Sequence, residues 1–444
     1  MTDPDFIIVG AGITGLTAAI TLKRAGKNVL VLETAPTAGG KIGTERVDGY
    51  LLESGPNSIR VENQETLDLI ESVELRDRMI DASTASKKRF ILKNGKWVKV
   101  PGSPIEAIMT PLFSIKGKLR ILAEPFIAKT NVSDESATSF VTRRLGSEVF
   151  NYAADPFITG IYAGDPAKLS MRHSFSSMWD AEQQHGSLIK GMLKKKKSSA
   201  PKMKARIISF PNGLSELIDA LRNELGDAIR LHDGAIHIEK INDHYGVSSS
   251  AGYFRSPQLI LALPSYNVSK MIASIAPAMS TTLEAIDYPP VAVVYLGYRI
   301  DQFVTPPEGF GGLIPSSEKR KILGVIFSSS NFACRAPEDH LLLTVLMGGA
   351  RNREVSEWSE EKILATGIAE AHSLFRPNGA PVFQHTKVWK HAIPQYNVGY
   401  SSVLDEIAKT EVANPGLHFL GNYRGGVSMG SCIRNATELA KRLV

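Results

Sequence analysis

The spacing of apolar positions changes several times along the chain, and each change predicts an element. Phe6-Ile7-Ile8-Val9 is a short unbroken apolar run, the pattern of a parallel strand buried on both faces. Leu16, Ala19, Ile20 and Leu22 then recur at helical spacing and give one apolar helix face. Val29-Leu30-Val31-Leu32 reads as a second buried strand. Residues 65–73 predict a short helix, and Leu214, Leu217, Ile218, Leu221 and Leu225 share one face of a longer one. Leu259-Ile260-Leu261-Ala262-Leu263 returns to the buried-strand pattern, and Val291 to Tyr298 predicts the central strand of a second domain.

Between these elements the character shifts. Lys87 to Leu92 and Lys96 to Val100 predict two strands joined at Asn94-Gly95, a dipeptide suited to a tight hairpin. Residues 119–150 read as helical material broken by Pro125. Phe157 to Ser170 is rich in small residues; such a stretch either lets backbone lie against a planar ligand or simply turns between helices. Leu188, Ile189, Met192 and Leu193 precede Lys194, Lys195, Lys196, Lys197, Lys202 and Lys204. That order suits an anionic membrane surface and equally a solvated loop.

The turn after the first strand carries the chemistry. Gly10-Ala11-Gly12-Ile13-Thr14-Gly15 joins strand to helix, with Glu33 closing the second strand. Gly10 permits the tight turn, Gly12 lets backbone approach a pyrophosphate, and Gly15 lets helix pack on strand. The helix N-terminus offers free N–H groups and a positive dipole end to the phosphates. Glu33 is placed to accept a hydrogen bond from a ribose hydroxyl. Beyond it, Gly39-Gly40-Lys41 forms a second small-residue turn with a basic side chain. FAD, longer than NAD, requires such support past the pyrophosphate, so non-covalent FAD is the expected cofactor. Gly55-Pro56 forces another turn whose backbone can approach a flat ring. Near the C-terminus, Arg424 to Gly430 is a loop without bulk ahead of a closing helix. That helix N-terminus can stabilise negative charge at the pyrimidine end of a flavin.

Composition narrows the class. The 444 residues imply two to three domains of ordinary globular make-up, 43% hydrophobic and 22% charged. A net charge of +6 points to a membrane surface or an acidic small substrate more than to nucleic acid. Cys334 and Cys432 are the two cysteines; they make no metal spacing and no disulfide framework, and a reducing compartment fits. No leader segment and no apolar run of spanning length is read. A cytoplasmic protein, peripheral on the inner face of the cell membrane, is expected.

The Gly39-Gly40-Lys41 turn resembles the glycine-doublet flavoproteins. Further segments are similar to the oxygen-dependent protoporphyrinogen oxidase family. They are Lys87-Lys88-Arg89-Phe90, Asp155-Pro156-Phe157, Ala163 to Met171, Gly309 to Pro315, Trp389 to Tyr396 and Gly421 to Gly426. The resemblance spans nearly the whole chain. It implies an α/β fold with a Rossmann-like FAD domain of the p-hydroxybenzoate-hydroxylase type, in three pieces: 1–84, 205–266 and 384–444. It also implies a mainly helical, membrane-associated insertion at 85–204 and an α+β substrate domain at 267–383.

Carried over by residue, the resemblance places Gly10, Gly12, Gly15 and Glu33 on the ADP part of FAD. Gly40, Lys41, Gly55, Pro56, Asn57 and Ser58 lie nearer the flavin. Ile238 meets the adenine side through its backbone, and Trp389, Val427, Ser428 and Met429 border the isoalloxazine. Arg89 matches a propionate anchor. Phe310, Leu313, Ile326 and Leu346 match apolar positions that sandwich a tetrapyrrole, and Gly160 a position where backbone faces the ring. No side chain is assigned as catalytic, since the flavin accepts the hydride. Some members of the family carry a basic residue where this chain has Asn57; its absence leaves Arg89 as the single propionate partner. Without this context Arg89 reads as surface, Phe310 and Leu313 as core, and Trp389 as packing.

The implied reaction is six-electron oxidation of protoporphyrinogen IX to protoporphyrin IX by O2, releasing H2O2. Implied partners are the porphyrinogen, O2, an anionic membrane surface, a ferrochelatase taking product, and a second copy of the chain. Competing readings are coproporphyrinogen III oxidation, flavin amine oxidation, and a non-catalytic FAD scaffold. Four propionates in place of two should demand more basic groups, and the C-terminal region lacks an aromatic pair for an amine.

Overall fold

The computed structural model describes residues 3–198 and 203–444. Two sheets organise them. The first has five parallel strands in the order Ile229–Arg230, Val29–Leu32, Phe6–Val9, Gln258–Leu261, Leu417–Phe419. Phe6–Val9 sits in the middle, and all four of its residues are buried, as its unbroken apolar run predicts. The helices Ile13–Arg24, Ser215–Leu225 and Met429–Arg442 cover one face of this sheet; their apolar sides share a core with Ile8, Val31 and Ile260. A three-stranded antiparallel sheet, Ala235–Ile241, His244–Ser249 and Gly252–Ser256, packs on the other face.

The second sheet has seven strands in the order Phe383–Trp389, Val291–Arg299, His340–Gly348, Ile322–Phe327, Gly311–Leu313, Arg89–Lys93, Lys96–Lys99. One face packs against the helix Glu360–Phe375 through Ala292, Val294, Val325, Val345 and Leu92. The hairpin at Asn94-Gly95 forms as expected, with both residues at positive φ, 51° and 74°.

This sheet crosses the expected domain boundaries. The strand Arg89–Lys93 was expected within the insertion, yet it pairs in parallel with Gly311–Leu313. Phe383–Trp389 was expected almost wholly within the FAD domain, yet it is the edge strand beside Val291–Arg299. Residues 104–198 are mainly helical, as expected, with irregular stretches at 127–136 and 163–170. The stretch beginning at Phe157 is not an irregular loop at its start: Asp155–Tyr162 is a helix ended by Ala163 in the left-handed conformation, φ 50°.

A buried ion pair links the strand Tyr50–Glu53 to the turn Ala333–Arg335. Glu53 and Arg335 are 2.8 Å apart, and each side chain is 2% exposed. Glu53 also accepts from the Thr44 hydroxyl at 2.7 Å and the Leu214 amide at 2.9 Å, and its own carbonyl takes the Tyr295 hydroxyl at 2.6 Å. Burial raises the Glu53 carboxyl, while Arg335 and these donors pull it back.

Candidate active site

The glycine turn leaves one opening. Gly10 has φ 106°, and a Cβ there would lie 2.7 Å from the Ala262 carbonyl oxygen. A Cβ on Gly15 would lie 1.9 Å from the Gly10 oxygen. A Cβ on Gly12 would meet nothing within 4 Å. The turn is thus filled by protein at its first and third glycines and open at the second. Gly40 closes over Gly12 from the other side, and the Gly39 amide donates to the Ala11 carbonyl at 2.8 Å. Glu33 is fixed at the strand end, with one carboxylate oxygen accepting from the Ala11 amide at 2.8 Å and the other from Ala35 at 2.9 Å.

The closing helix enters the same place. Met429–Arg442 is capped by the Ser428 hydroxyl, which accepts from the Ser431 amide at 3.1 Å. Cys432, in its first turn, donates its thiol to the Gly426 carbonyl at 4.0 Å and shares a core with Ile13 and Leu16 of the first two turns of Ile13–Arg24. Two helix N-termini therefore lie side by side at the glycine turn, a setting that favours anionic groups. Burial pushes the Cys432 thiol up to about 11, so it stays neutral there. Val427, Ser428 and Met429 form the lip of this opening. Tyr396 supports it: its hydroxyl donates to the Asn422 carbonyl at 2.6 Å and accepts from the Gly426 amide at 3.0 Å. Nothing in the sequence marked Tyr396 for that task, because its partners lie some 30 residues away along a loop.

Trp389 joins the two domains. Its indole N–H donates to the Ser54 carbonyl at 2.6 Å, which sets it beside the turn of Gly55, Pro56, Asn57 and Ser58. Gly55 is needed here, since a Cβ would come within 2.1 Å of the Lys41 oxygen. The Lys41 ammonium reaches the carbonyls of His391 and Ala392 and lies 5.5 Å from the Trp389 ring centre and 5.8 Å from that of Tyr288. Burial lowers its pKa to about 8. The sequence suggested a lysine facing the cofactor; the structure also makes it a bridge between domains. Ile238 is fully buried among Ala235, Tyr245, Val247 and Leu259. The backbone of 232–234 approaches Glu33, where His232 and Asp233 bond the carbonyls of Ala35 and Glu33 and Gly234 abuts Thr34.

The expected tetrapyrrole residues lie on the seven-stranded sheet. Cross-strand partners share a face, and along a strand the face repeats every second residue. Arg89 pairs with Gly311, Gly311 with Ile326, and Ile326 with Thr344. Leu313 pairs with Gly324, Gly324 with Leu346, and Leu346 with Val293. Val291 pairs with Trp389. Arg89, Leu313, Ile326, Leu346 and Trp389 therefore occupy one face, opposite the face covered by Glu360–Phe375. Five inter-strand steps of about 4.8 Å separate the first from the last, roughly 24 Å.

Phe310 stands at the Arg89 end. Its ring centre is 5.1 Å from the guanidinium carbon. Its amide donates to Lys88 at 2.8 Å, and its carbonyl accepts from Phe327 at 3.1 Å and from the Asn331 amide group at 2.9 Å. Gly311 follows at φ 149°, where a Cβ would clash at 2.3 Å with the Val325 oxygen. Gly160 comes against Leu313: a Cβ there would be 2.5 Å from a Leu313 methyl. The helix bearing Gly160 is anchored by Asp155, which accepts from the Ser316 amide and hydroxyl at 2.7 Å and pairs with Arg351 at 3.0 Å. Arg351 also donates to the Ile314 carbonyl at 3.0 Å. Asp155 and Arg351 lie 196 positions apart, and no local pattern links them.

The group these features suit is FAD. The open space at Gly12, the paired helix N-termini and the acid at the strand end suit the ADP half. The Gly55 turn, Trp389 and Val427 to Met429 suit the ring.

Comparison with known proteins agrees. The chain matches the flavin containing amine oxidoreductase family over residues 13–444. It is 34% identical to the mitochondrial protoporphyrinogen oxidase of Nicotiana tabacum, over 98% of this chain and 94% of that one. It is 26% identical to the coproporphyrinogen III oxidase of Bacillus subtilis, over 96% and 95%. Among solved structures, a candidate protoporphyrinogen oxidase from Exiguobacterium superposes with a TM-score of 0.83 at 23% identity, covering 100% and 99% of the two chains. The cyclohexylamine oxidase of Brevibacterium oxydans superposes at 0.75 and 16% identity, over 100% and 99%. Family match and whole-length identity together place the chain among the FAD-dependent amine oxidoreductases, and within them it belongs to the protoporphyrinogen oxidases.

Proposed function

We propose that this protein oxidises protoporphyrinogen IX to protoporphyrin IX in haem biosynthesis. The observation that carries this reading is the single sheet face running from Trp389, beside the flavin turn, to Arg89 at the rim. A large flat ring with acidic side chains requires apolar walls and a cation at one edge. Leu346, Ile326 and Leu313 supply the walls, with Gly160 packed directly against Leu313. Bound FAD supplies the two-electron acceptor, and O2 is the terminal oxidant, giving H2O2 over three rounds. The chain's own residues bind and orient. Trp389 and the 427–429 backbone hold the ring plane, and Arg89 sets which edge of the tetrapyrrole faces out.

Paired assays test the reading. Anaerobic protoporphyrinogen should bleach the flavin absorbance, and coproporphyrinogen should do so less effectively. An unbleached flavin with both would overturn it; a strong preference for coproporphyrinogen would transfer the assignment to that substrate. Arg89→Ala should raise KM about ten-fold with a smaller change in kcat, because an anchor binds ground and transition states alike. A pure loss of kcat would contradict anchoring.

We also propose that the helical segment rests on an anionic membrane. Ile105, Ile108, Met109, Ile115, Leu119, Leu122, Phe126, Met192 and Leu193 are each at least 60% exposed. Lys116, Lys129 and Lys194 are exposed close to them in sequence. The side chains of Lys195, Lys196 and Lys197, and all of Lys202, lie outside the described residues. No helix among the described residues is long and apolar enough to cross a membrane, so the association is peripheral. Phe126→Glu with Leu119→Glu should abolish co-sedimentation with anionic vesicles while leaving detergent-phase activity intact. Unchanged sedimentation would refute the surface. A hand-off of product to a ferrochelatase and a homodimer fit a membrane-bound enzyme, and crosslinking at such a surface tests both.

A further inference from the structure

Lys41 brings a positive charge into the wall of the cofactor site, and among the described residues no carboxylate pairs with it. Its ammonium is satisfied by the carbonyls of His391 and Ala392 and stands 5.5 Å from the Trp389 ring centre and 5.8 Å from that of Tyr288. These partners complete its hydrogen bonds without cancelling its charge. Burial lowers its pKa, and no neighbouring acid raises it again. The rings around it are locked in place. The Trp389 indole is held on the Ser54 carbonyl at 2.6 Å, and the Tyr288 hydroxyl accepts from the Ser265 amide at 3.2 Å. Tyr266 fills the gap between Tyr288 and His391, at 5.1 and 4.8 Å between ring centres. This collar limits water around the ammonium, so its field is weakly screened. Lys387 lies at a similar distance from Trp389, 5.3 Å, but it is exposed and screened by solvent.

A buried cation without a counter-ion is costly unless an anion appears beside it during the working cycle. Trp389 and the Gly55 turn form the wall suited to the flavin ring, and such an anion arises there. A hydride carries two electrons and one proton from the donor to the ring, which leaves the ring one negative charge. We infer that Lys41 is the electrostatic partner of the reduced flavin, a cation fixed in advance against the charge that hydride transfer creates. The oxidised ring gives it no counter-charge and the reduced ring does, so Lys41 favours reduction over oxidation. The inference needs only bound FAD and does not depend on which porphyrinogen supplies the hydride.

The midpoint potential of the bound flavin, measured against redox dyes with no porphyrinogen present, tests this without turnover. Lys41→Gln should lower the equilibrium constant for two-electron reduction about ten-fold, read as a potential about 30 mV below wild type. Lys41→Met removes the charge without placing an amide among the rings, and should shift the potential the same way. Lys41→Arg keeps the charge and should retain most of the wild-type value. Lys387→Gln should leave the potential unchanged. FAD content of the purified Lys41 variants should match wild type. Wild-type potentials in Lys41→Gln and Lys41→Met would refute the inference, and so would an equal drop in Lys387→Gln. Loss of FAD from both neutral variants would overturn it by showing that the ammonium grips the cofactor in either state. None of these outcomes touches the proposed function, which fails only if porphyrinogens leave the flavin unbleached.

Discussion

Gly12→Ala is expected to fold normally and purify without flavin, whereas Gly15→Ala should lose both flavin and stability. The two residues sit three positions apart in one turn, and a methyl group meets opposite surroundings at each. At Gly15 it lies 1.9 Å from a backbone oxygen that cannot move without opening the strand-to-helix turn. Relief would cost about 1–3 kcal/mol or more, by the usual measure of overpacking. At Gly12 no protein atom lies within 4 Å, so the methyl strains nothing in the apoprotein and occupies only the approach to the pyrophosphate. Flavin absorbance of the purified variants, with thermal melts of stripped protein, separates the two effects. Equal melting temperatures for both variants would show that the turn is more yielding than its geometry indicates.

The second large effect belongs to the helical segment. Arg144 and Glu124 form an ion pair with both side chains fully buried, and Arg144 also lies 3.3 Å from the buried Glu182. Glu124 accepts from the Ser187 hydroxyl at 2.5 Å and the amides of Leu188 and Ile189 at 2.8 and 3.2 Å, tying Pro125-Phe126 to the start of the lysine-bearing helix. Arg144→Met should destabilise this segment by about 3–5 kcal/mol, because it leaves the buried Glu124 carboxylate without its cation, while Glu182 keeps Arg143 at 2.8 Å. Limited proteolysis should cut first within 104–198 while the flavin absorbance persists. Loss of flavin in step with cleavage would mean that the segment and the nucleotide domain unfold as one unit.

How far the sequence foretold this site depends on distance along the chain. The Gly10 to Gly15 turn, its flanking strands and the hairpin at Asn94-Gly95 were legible, because a few adjacent residues determine each. The sheet assignment of Phe383–Trp389 was not, because a strand's apolar pattern says which face is buried and not which neighbour it pairs with. Gly160 was noted for its lack of bulk, but its helix is fixed by Asp155 and Arg351 from separate domains. The approach of residues 232–234 to Glu33 was not legible either, because the pairing of His232 and Asp233 with Ala35 and Glu33 spans about 200 residues.

The parallel pairing of Arg89–Lys93 with Gly311–Leu313 bears on how the chain is made. These strands are about 220 residues apart in sequence, and closing such a loop is slow compared with forming local helices. The edge strand Phe383–Trp389 and the closing helix Met429–Arg442 come later still from the ribosome. The first glycine turn is therefore synthesised long before the Trp389 and Val427–Met429 wall that completes its cradle. Flavin capture is expected to be a late, essentially post-translational event, and the rate at which FAD fluorescence is quenched during refolding should follow formation of the long-range sheet and not that of the N-terminal strands.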